Sequence, residues 1–361
     1  MSTHRLLEIV FWASLFFVSY VYVGYPLLVA AWSRLARRSI LRGEWEPTVS
    51  VMIAAHNEAG VLRAKVENCR SLDYPSDRLQ IVLSIDGSTD GTDEVARQLA
   101  ADDVVVLCSA RHRGKAAALN RAVEAASGEI LVFCDARQRL EREALRELVA
   151  DLRDPAVGAV SGELLLLDDK DHEAGDGVGL YWRYEKSLRS MESSIHSTLG
   201  ATGALYAVRR ELFSPIPEGA ILDDVIVPMK VVLAGLRTIF EPRARALDRV
   251  CPPEVEFQRK VRTLAGNFQL LALMPELLRP WRNPVFVQFL SHKVGRLLVP
   301  WFLVLLLASN LLLRDGVYLL FLVGQLTFYL LALGGVLARR VERPLTGVAP
   351  PLKGALKGRQ S

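Results

Sequence analysis

The stretch that decides the fold reads Val49-Ser50-Val51-Met52-Ile53-Ala54-Ala55-His56-Asn57-Glu58. Its first seven residues form a nearly continuous apolar run rich in Val and Ile, which is typical of a strand buried on both faces of a sheet. Three polar residues end this strand, and residues 58–69 have the spacing of a helix. A buried strand that leads directly into a helix predicts the first unit of a parallel α/β sheet.

The same alternation of strand and helix continues along the chain. Further strands are predicted at 79–85, 104–107, 130–134 and 157–160, and helices at 92–101, 115–126 and 141–152. We therefore expect an α/β fold with a mostly parallel sheet that helices cover on both sides. In such sheets ligands bind outside the carboxyl ends of the strands, so the residues just after each strand matter most.

Polar residues follow the first four predicted strands in an ordered way. They are His56-Asn57-Glu58, Asp86-Gly87-Ser88-Thr89-Asp90-Gly91, Arg111-His112-Arg113-Gly114-Lys115 and Asp135-Ala136-Arg137-Gln138. A single strand-end Asp is an ordinary turn residue, but acids on two ends and a basic loop on a third suit a nucleotide that carries a diphosphate. The basic loop is not a Walker loop, because Ala116 follows Lys115 where that motif has Ser or Thr.

Three long apolar segments flank this polar middle region. Residues 9–33, 297–313 and 316–338 contain no Asp, Glu, Lys or Arg. Because a bilayer core about 30 Å thick needs roughly 20 apolar residues as a helix, we expect three transmembrane helices, the last two forming a hairpin. This excludes a simple soluble enzyme, and the long polar region between the first and second spans excludes a many-pass transporter.

The net charge is +4, and Lys and Arg cluster beside the apolar segments. The positive-inside rule then predicts an integral protein of the inner or plasma membrane, with a cytoplasmic middle region and an uncleaved N-terminal anchor. Aromatic residues are not interleaved with these charges, so no nucleic-acid partner is expected. The four cysteines lack paired spacing, which fits a reduced cytosolic domain.

At its strand ends the chain resembles the inverting family 2 glycosyltransferases. Within that family it resembles the membrane-integrated branch of cellulose, chitin, hyaluronan and poly-N-acetylglucosamine synthases, in order over about residues 50–270. The resemblance implies a Rossmann-like nucleotide-sugar domain of the GT-A type. It also implies transfer of a sugar to a lipid-linked or glycan acceptor in cell-envelope polysaccharide synthesis. The expected donor is a UDP-sugar.

The resemblance also implies which residues bind the donor. They are Ala55, His56, Glu58, Asp86, Lys115, Asp135 and Arg137. The family usually has Asp-x-Asp where this chain has Asp135-Ala136-Arg137, and the second Asp of that motif is a metal ligand. Because an Arg cannot bind Mg²⁺ or Mn²⁺, Asp135 is left as the candidate ligand of a divalent metal. The alternative is that Arg137 itself contacts the diphosphate in a bidentate way.

Later motifs imply the catalytic and acceptor-binding residues. Gly203 lies in a segment similar to the family's acceptor side, where small residues let a sugar approach the backbone. Asp224 takes the place of the general base and Asp223 that of the preceding acid, and two adjacent carboxylates raise one pKa. The alternative is that both acids cap a helix at 227–234.

Residues 257–271 predict an amphipathic helix before the second span. The apolar stripe consists of Phe257, Val261, Leu264, Phe268 and Leu271. Basic residues lie mainly off this stripe, which favours a helix in the membrane interface, and a core-packing helix is the alternative. Arg259 and Arg262 take the positions of the family's Gln-x-x-Arg-Trp acceptor motif, with Thr263 where the family has Trp.

The predicted organisation has five parts. They are a transmembrane anchor and basic linker at 1–42, a cytosolic glycosyltransferase domain at 43–250, an amphipathic interface region at 251–291, a transmembrane hairpin at 292–340 and a basic cytosolic tail at 341–361. Partners would be the donor, the acceptor, the membrane, and further copies of the chain or envelope-assembly subunits. Two other functions stay open: transfer to a polyprenyl phosphate, and a catalytically silent nucleotide-sugar-binding subunit.

Overall fold

Eight strands form one sheet in the part of the chain that the computed structural model describes, residues 2–167, 179–313 and 315–341. They are β1 (Val49–Ala55), β2 (Leu79–Asp86), β3 (Val104–Ser109), β4 (Ile130–Phe133), β5 (Arg139–Leu140), β6 (Val157–Leu167), β7 (Tyr206–Arg209) and β8 (Arg237–Arg249). Their order across the sheet is β3-β2-β1-β4-β7-β6-β8-β5. The pairs β1–β2, β1–β4, β2–β3 and β6–β8 are parallel, so the predicted mostly parallel sheet is confirmed.

The helices cover both faces of the sheet and extend beyond it. They are α1 (Thr3–Ser19), α2 (Tyr25–Leu35), α3 (Ala59–Arg70), α4 (Thr92–Leu99), α5 (Lys115–Glu124), α6 (Ala144–Asp151), α7 (Gly179–Ile195), α8 (Asp223–Leu233), α9 (Pro253–Leu273), α10 (Phe286–Gln288), α11 (Gly295–Leu312) and α12 (Val317–Val341). The π-helical segment Tyr20–Gly24 lies between α1 and α2. A second π-helical segment, Phe289–Val294, lies between α10 and α11.

Alternate residues of β1 pack into two cores. Val51 and Ile53 lie in the core that contains Leu62 of α3, whereas Met52 lies in the core that contains Leu119 of α5. All three of these β1 side chains are fully buried. Burial on both faces explains why this strand reads as a continuous apolar run rather than an alternating one.

The strand boundaries agree closely with the sequence prediction, and the helix boundaries agree less well. β1 spans the predicted residues, whereas α8 begins at Asp223 and not at the predicted residue 227. The earlier start places both acids in the first turn, where carboxylates are stabilised by the unpaired N–H groups of the helix. The strands β7 and β8 and the helix α7 were not predicted.

Three helical stretches are long and apolar enough to cross a membrane, namely Thr3–Leu35, Phe286–Leu312 and Val317–Gly335. The second begins earlier than predicted because α10 and the π-helical segment extend it, and Pro300 therefore lies inside α11. Arg314 and the predicted basic tail beyond Val341 lie outside the described residues.

The chain divides into two compact units. The larger spans Ser19–Val299 and holds the whole sheet, and the smaller comprises Met1–Val18 with Pro300–Ser361. In the smaller unit Phe11, Leu306 and Leu313 form a buried cluster. In the larger unit the predicted stripe of α9 is largely solvent-exposed: Phe257 has 67% and Phe268 has 50% of its surface accessible. Exposed aromatic residues on this face favour the interface helix over the core-packing alternative.

Gly128 gives a test of the packing around β1. A Cβ atom at Gly128 would lie 2.5 Å from the backbone nitrogen of Ser50, whereas a Cβ at Gly60 would meet no atom within 4 Å. We expect Gly128→Ala to lower the free energy of unfolding by about 1–3 kcal/mol. We expect the control Gly60→Ala to stay within about 1 kcal/mol of the parent. Denaturant unfolding of the full chain measures both, and equal stabilities would contradict this packing.

Candidate active site

The carboxyl ends of three neighbouring parallel strands bring predicted site residues to one edge of the sheet. Ala55 ends β1 and is buried, Asp86 ends β2, and Asp135 follows β4 by two residues. β1 pairs in parallel with both β2 and β4, so these ends lie side by side. The sequence prediction that these residues share one rim is therefore met by the topology.

Asp86 holds the basic loop in place. Only 2% of the surface of this residue is exposed. Its carboxylate accepts hydrogen bonds from the backbone nitrogens of Arg113 (3.1 Å) and Gly114 (2.7 Å). The carboxylate also lies 2.9 Å from Nδ1 of His112. Three donors on one buried carboxylate fix the loop between β3 and α5 against the end of β2.

Two histidine rings lie together beside Asp86. The rings of His56 and His112 have centroids 4.1 Å apart at an interplanar angle of 37°. Nδ1 of each ring is within hydrogen-bond distance of the Asp86 carbonyl oxygen, at 2.8 Å and 3.1 Å. The pair forms a partly exposed aromatic surface at the rim. His112 was not among the residues predicted to bind the donor.

Lys115 lies among carboxylates from two different parts of the chain. At the start of α5, its Nζ is 2.9 Å from Oδ1 of Asp135 and 3.2 Å from Oδ2 of Asp223. Gly203 is also adjacent, because a Cβ atom there would lie 3.7 Å from this Nζ. The structure thus joins the basic loop, the Asp135 loop and the start of α8 at one ammonium group.

Asp224 occupies the other side of this cluster. Its Oδ2 accepts a hydrogen bond from the backbone nitrogen of Gly203 at 3.1 Å, and its carbonyl oxygen accepts one from Ala201 at 2.7 Å. A Cβ atom at Gly203 would lie 3.3 Å from the same Oδ2, so only a glycine leaves this carboxylate uncrowded. These contacts fix Asp224 at the segment that the sequence assigned to the acceptor.

The pKa values of Asp224 and Lys115 are both raised in this cluster, for different reasons. Burial and the carboxylate of Asp223 raise the pKa of Asp224 to about 6, although Lys115 and Lys293 act to lower it. Burial alone would lower the pKa of Lys115, but the surrounding carboxylates outweigh burial and raise it. Lys115 therefore stays charged at neutral pH, whereas Asp224 can take up a proton near pH 6.

Arg137 and Glu58 form a weaker contact at the rim. Nε of Arg137 is 3.9 Å from Oε1 of Glu58, and half of the Arg137 side chain is exposed. Burial raises the pKa of Glu58, while Arg137 acts to lower it and Asp135 to raise it. The guanidinium group of Arg137 therefore only partly neutralises the negative charge of Glu58 and Asp135 at the rim.

The two basic residues predicted from the acceptor motif do not join this cluster. Arg262 on α9 is exposed and Arg259 is partly exposed, and neither forms an ion pair with a described residue. Three residues that were not predicted do belong to the site. They are His112, Tyr206, which is fully buried with its hydroxyl lacking a partner among described residues, and Lys293. For Lys293 the sequence carried no signal, since it lies 69 positions beyond Asp224.

Comparison with known proteins agrees with this fold and site. The Glycosyl transferase family 2 model matches residues 50–215. An N-acetylglucosaminyltransferase of Rhizobium leguminosarum bv. trifolii is 30% identical over 130 residues, which cover 35% of this chain and 71% of that protein. A beta-monoglucosyldiacylglycerol synthase of Synechocystis sp. (strain ATCC 27184 / PCC 6803 / Kazusa) is 34% identical over 167 residues, covering 45% of this chain and 33% of that protein.

A solved structure matches almost the whole chain. The mannosyltransferase PcManGT from Pyrobaculum calidifontis, in complex with GDP-Man and Mn²⁺, has a TM-score of 0.69 and 26% identity and covers 92% of each chain. The chain matches 30% to 40% of the length of several curated relatives. The fold is that of a glycosyltransferase of the GT-A type. The chain belongs to glycosyl transferase family 2, which confirms the predicted family, fold and enzyme class.

The loop anchored by Asp86 gives a test of the site's architecture. Asp86→Ala leaves two partly buried backbone N–H groups without their acceptor, so we expect a loss of about 1–3 kcal/mol in the free energy of unfolding. Amide hydrogen exchange at residues 111–114 should rise at least tenfold. The control is Glu94→Ala, which removes an exposed carboxylate on α4. Unchanged exchange in the Asp86 variant would show that this carboxylate does not hold the loop.

Proposed function

We propose that this protein is an inverting glycosyltransferase that moves a sugar from a nucleotide-sugar donor to a lipid-linked or glycan acceptor at the cytosolic face of a membrane. The observation that carries the proposal is the convergence of Lys115, Asp135, Asp223 and Asp224 at the carboxyl end of the sheet. A cation for the leaving group and a carboxylate with a raised pKa are the two parts that this transfer needs.

The donor would lie along the rim formed by the strand ends. The adjacent rings of His56 and His112 offer a surface for the nucleobase, and Asp86 holds the loop that carries the second ring. The small side chain of Ala55 leaves room at the end of β1. Lys115 and Arg137 would contact the diphosphate, and a UDP-sugar is the first donor to test, with a GDP-sugar beside it.

The transfer itself requires three linked changes. An oxygen of the acceptor bonds to the anomeric carbon while the bond from that carbon to the diphosphate breaks. The nucleoside diphosphate leaves with the bonding electrons, and Lys115 balances its developing charge. Where the acceptor oxygen belongs to a hydroxyl group, Asp224 takes its proton. Attack from the face opposite the leaving group inverts the anomeric configuration.

Membrane attachment is part of the proposal. The three candidate spans, the exposed apolar face of α9 and the basic residues Arg259, Lys260 and Arg262 support a domain that lies against the bilayer. The five-part organisation and the cytosolic orientation follow from the same features and from the basic clusters near the spans. The lipid named in the cyanobacterial relative, beta-monoglucosyldiacylglycerol, supports a lipid acceptor.

The residues around Asp135 differ from those that a divalent cation requires. The Mn²⁺ of the solved mannosyltransferase agrees with the divalent metal that the sequence left open. Among the described residues of this chain, however, no group of three His, Cys, Asp or Glu side chains could hold a metal ion. Asp135 is paired with Lys115, and Arg137 stands in the second position of the motif. These side chains do not fit a divalent cation, and no step of the mechanism is assigned to one.

Replacing Asp224 tests the general base. We expect Asp224→Asn to lower the rate of sugar transfer by about 10²–10⁴-fold, because the amide cannot accept the proton. Affinity for the nucleoside diphosphate should stay within about threefold. Transfer is measured with radiolabelled donor in detergent, with the exposed Asp102→Asn as the control. A parent protein that binds donor but turns none over, like the variant, would indicate the silent subunit instead.

The pH profile gives a second test of Asp224. A base must be deprotonated to act, and its raised pKa of about 6 means that activity is lost as the pH falls through 6. We expect the limiting rate at pH 5 to be about one tenth of the rate at pH 7. The inflection should be missing from the residual activity of Asp224→Asn. An acidic limb that persists in that variant would assign the titration to another group.

Arg137 tests how the diphosphate is held. We expect EDTA to change the affinity of the parent protein for UDP by less than about twofold, and Arg137→Ala to weaken it by about tenfold. Isothermal titration calorimetry measures both, with the exposed Arg139→Ala as the matched control. Loss of UDP binding in EDTA, together with normal binding by Arg137→Ala, would show that a metal ion performs this role.

A further inference from the structure

A second group of charged side chains lies next to Asp224 and is not used by the proposed transfer. It is formed by α7 and by the π-helical segment Phe289–Val294 with the start of α11. Glu185, Arg189 and Glu192 are spaced four and three residues apart on α7, so they share one face of that helix. His292, Lys293 and Arg296 come from the facing segment.

The carboxylates of this group already have partners. Oε1 of Glu185 is 2.6 Å from Nη1 of Arg296. Oε1 of Glu192 is 2.8 Å from Nδ1 of His292 and accepts a hydrogen bond from the Tyr25 hydroxyl at 2.5 Å. Glu192 is completely buried. Both acids are therefore engaged in holding α2, α7 and the π-helical segment together.

The two remaining cations have no such partner. Within residues 2–167, 179–313 and 315–341, neither Arg189 nor Lys293 forms an ion pair or a side-chain hydrogen bond, although both are partly buried. Arg189 lies between Glu185 and Glu192 on the face of α7 that pairs with His292 and Arg296, and Lys293 follows His292 directly. The segment of Lys293 also packs near Asp224, because Val225 and Phe289 belong to one buried cluster. Two nitrogen atoms of the neighbouring Arg296 guanidinium are buried without hydrogen-bond partners in the same part of the chain.

Partly buried cations without an ion pair or a hydrogen bond cost folding free energy, because each loses water that no direct partner replaces. A bound anion removes that cost, and a guanidinium beside an ammonium is a common arrangement for phosphate. Lys293 belongs to a helical stretch long and apolar enough to cross a membrane. An anion bound there would be at the level where a lipid head group meets the protein.

We propose that Arg189 and Lys293 bind the phosphate group of a lipid acceptor and so place its reacting oxygen beside Asp224. This inference rests on the proposed function and names the acceptor class. In a lipid phosphomonoester the phosphate oxygen itself attacks the anomeric carbon, and no proton has to leave. In a phospholipid with a free hydroxyl group, the hydroxyl oxygen attacks and its proton goes to Asp224. In both cases the nucleoside diphosphate leaves.

Binding can be tested without turnover. The full chain in detergent is titrated with phytanyl phosphate and with the uncharged alcohol phytanol by microscale thermophoresis. We expect the phosphate to bind at least tenfold more tightly than the alcohol. Arg189→Gln/Lys293→Gln should abolish this preference while UDP affinity stays within about twofold. The exposed Arg183→Gln on α7 is the matched control. Equal binding of phosphate and alcohol by the parent protein would overturn the proposal.

Transfer assays separate this inference from the proposed function. Phytanyl phosphate and phosphatidylglycerol are compared with diacylglycerol as acceptors, with donor hydrolysis recorded in parallel. Whichever phosphate lipid serves as the acceptor, we expect its KM to be at least tenfold higher in the double variant than in the parent protein. Donor hydrolysis by the control Arg183→Gln should equal that of the parent protein. Transfer to diacylglycerol at the same rate in parent and variant, with no use of phosphate lipids, overturns the phosphate site and leaves the glycosyltransferase intact. Selective phosphate binding without any transfer supports the site and overturns the proposed function.

Discussion

The ion pairs of Lys115 are the interaction on which the site depends. Asp135 and Asp223 approach one ammonium group from different segments, at 2.9 Å and 3.2 Å, and Asp224 lies beside them. Carboxylates this close would repel one another in a partly buried site without a cation. Lys115 therefore makes the convergence of these segments stable. Burial and the carboxylate of Asp223 still raise the pKa of Asp224, because Lys115 offsets them only in part.

The fold supplies the positions that this interaction needs. Parallel pairing of β1 with β2 and β4 brings the strand ends to one rim, and α5 begins there with Lys115. The start of α8 at Asp223 presents two consecutive carboxylates where unpaired N–H groups favour negative charge. Gly203 lets the backbone approach Asp224 closely enough to donate a hydrogen bond. The same rim can then bind a diphosphate and direct a carboxylate at the sugar.

Much of this arrangement could be predicted from the sequence because its signals are local. The apolar run of β1 and the polar residues after each strand depend on neighbours in the chain, and the structure has β1 at the predicted residues. The start of α8 was harder to predict, because the helical periodicity of the sequence begins only where the apolar residues recur. The strands β7 and β8 pair with distant partners, so their residues carry weak local patterns.

The charged group around Lys293 could not be predicted at all. Its residues are spread over α2, α7 and the π-helical segment, and nothing in the spacing of Arg189 and Lys293 connects them to Asp224. Only the packing of α2 on α7, through residues such as Tyr25 and Leu188, brings these elements together. The proposed donor side of the site is thus predictable from local sequence. The proposed acceptor side depends on tertiary packing.

The most direct measurement of the central claim is an experimental structure of the full chain carrying Asp224→Asn, with an intact nucleotide sugar bound. The account predicts that Lys115 contacts the diphosphate and that the anomeric carbon faces residue 224, with space for one acceptor oxygen about 3–3.5 Å from that carbon. A donor bound with its diphosphate away from Lys115, or with residue 224 on the leaving-group side of the sugar, would contradict it.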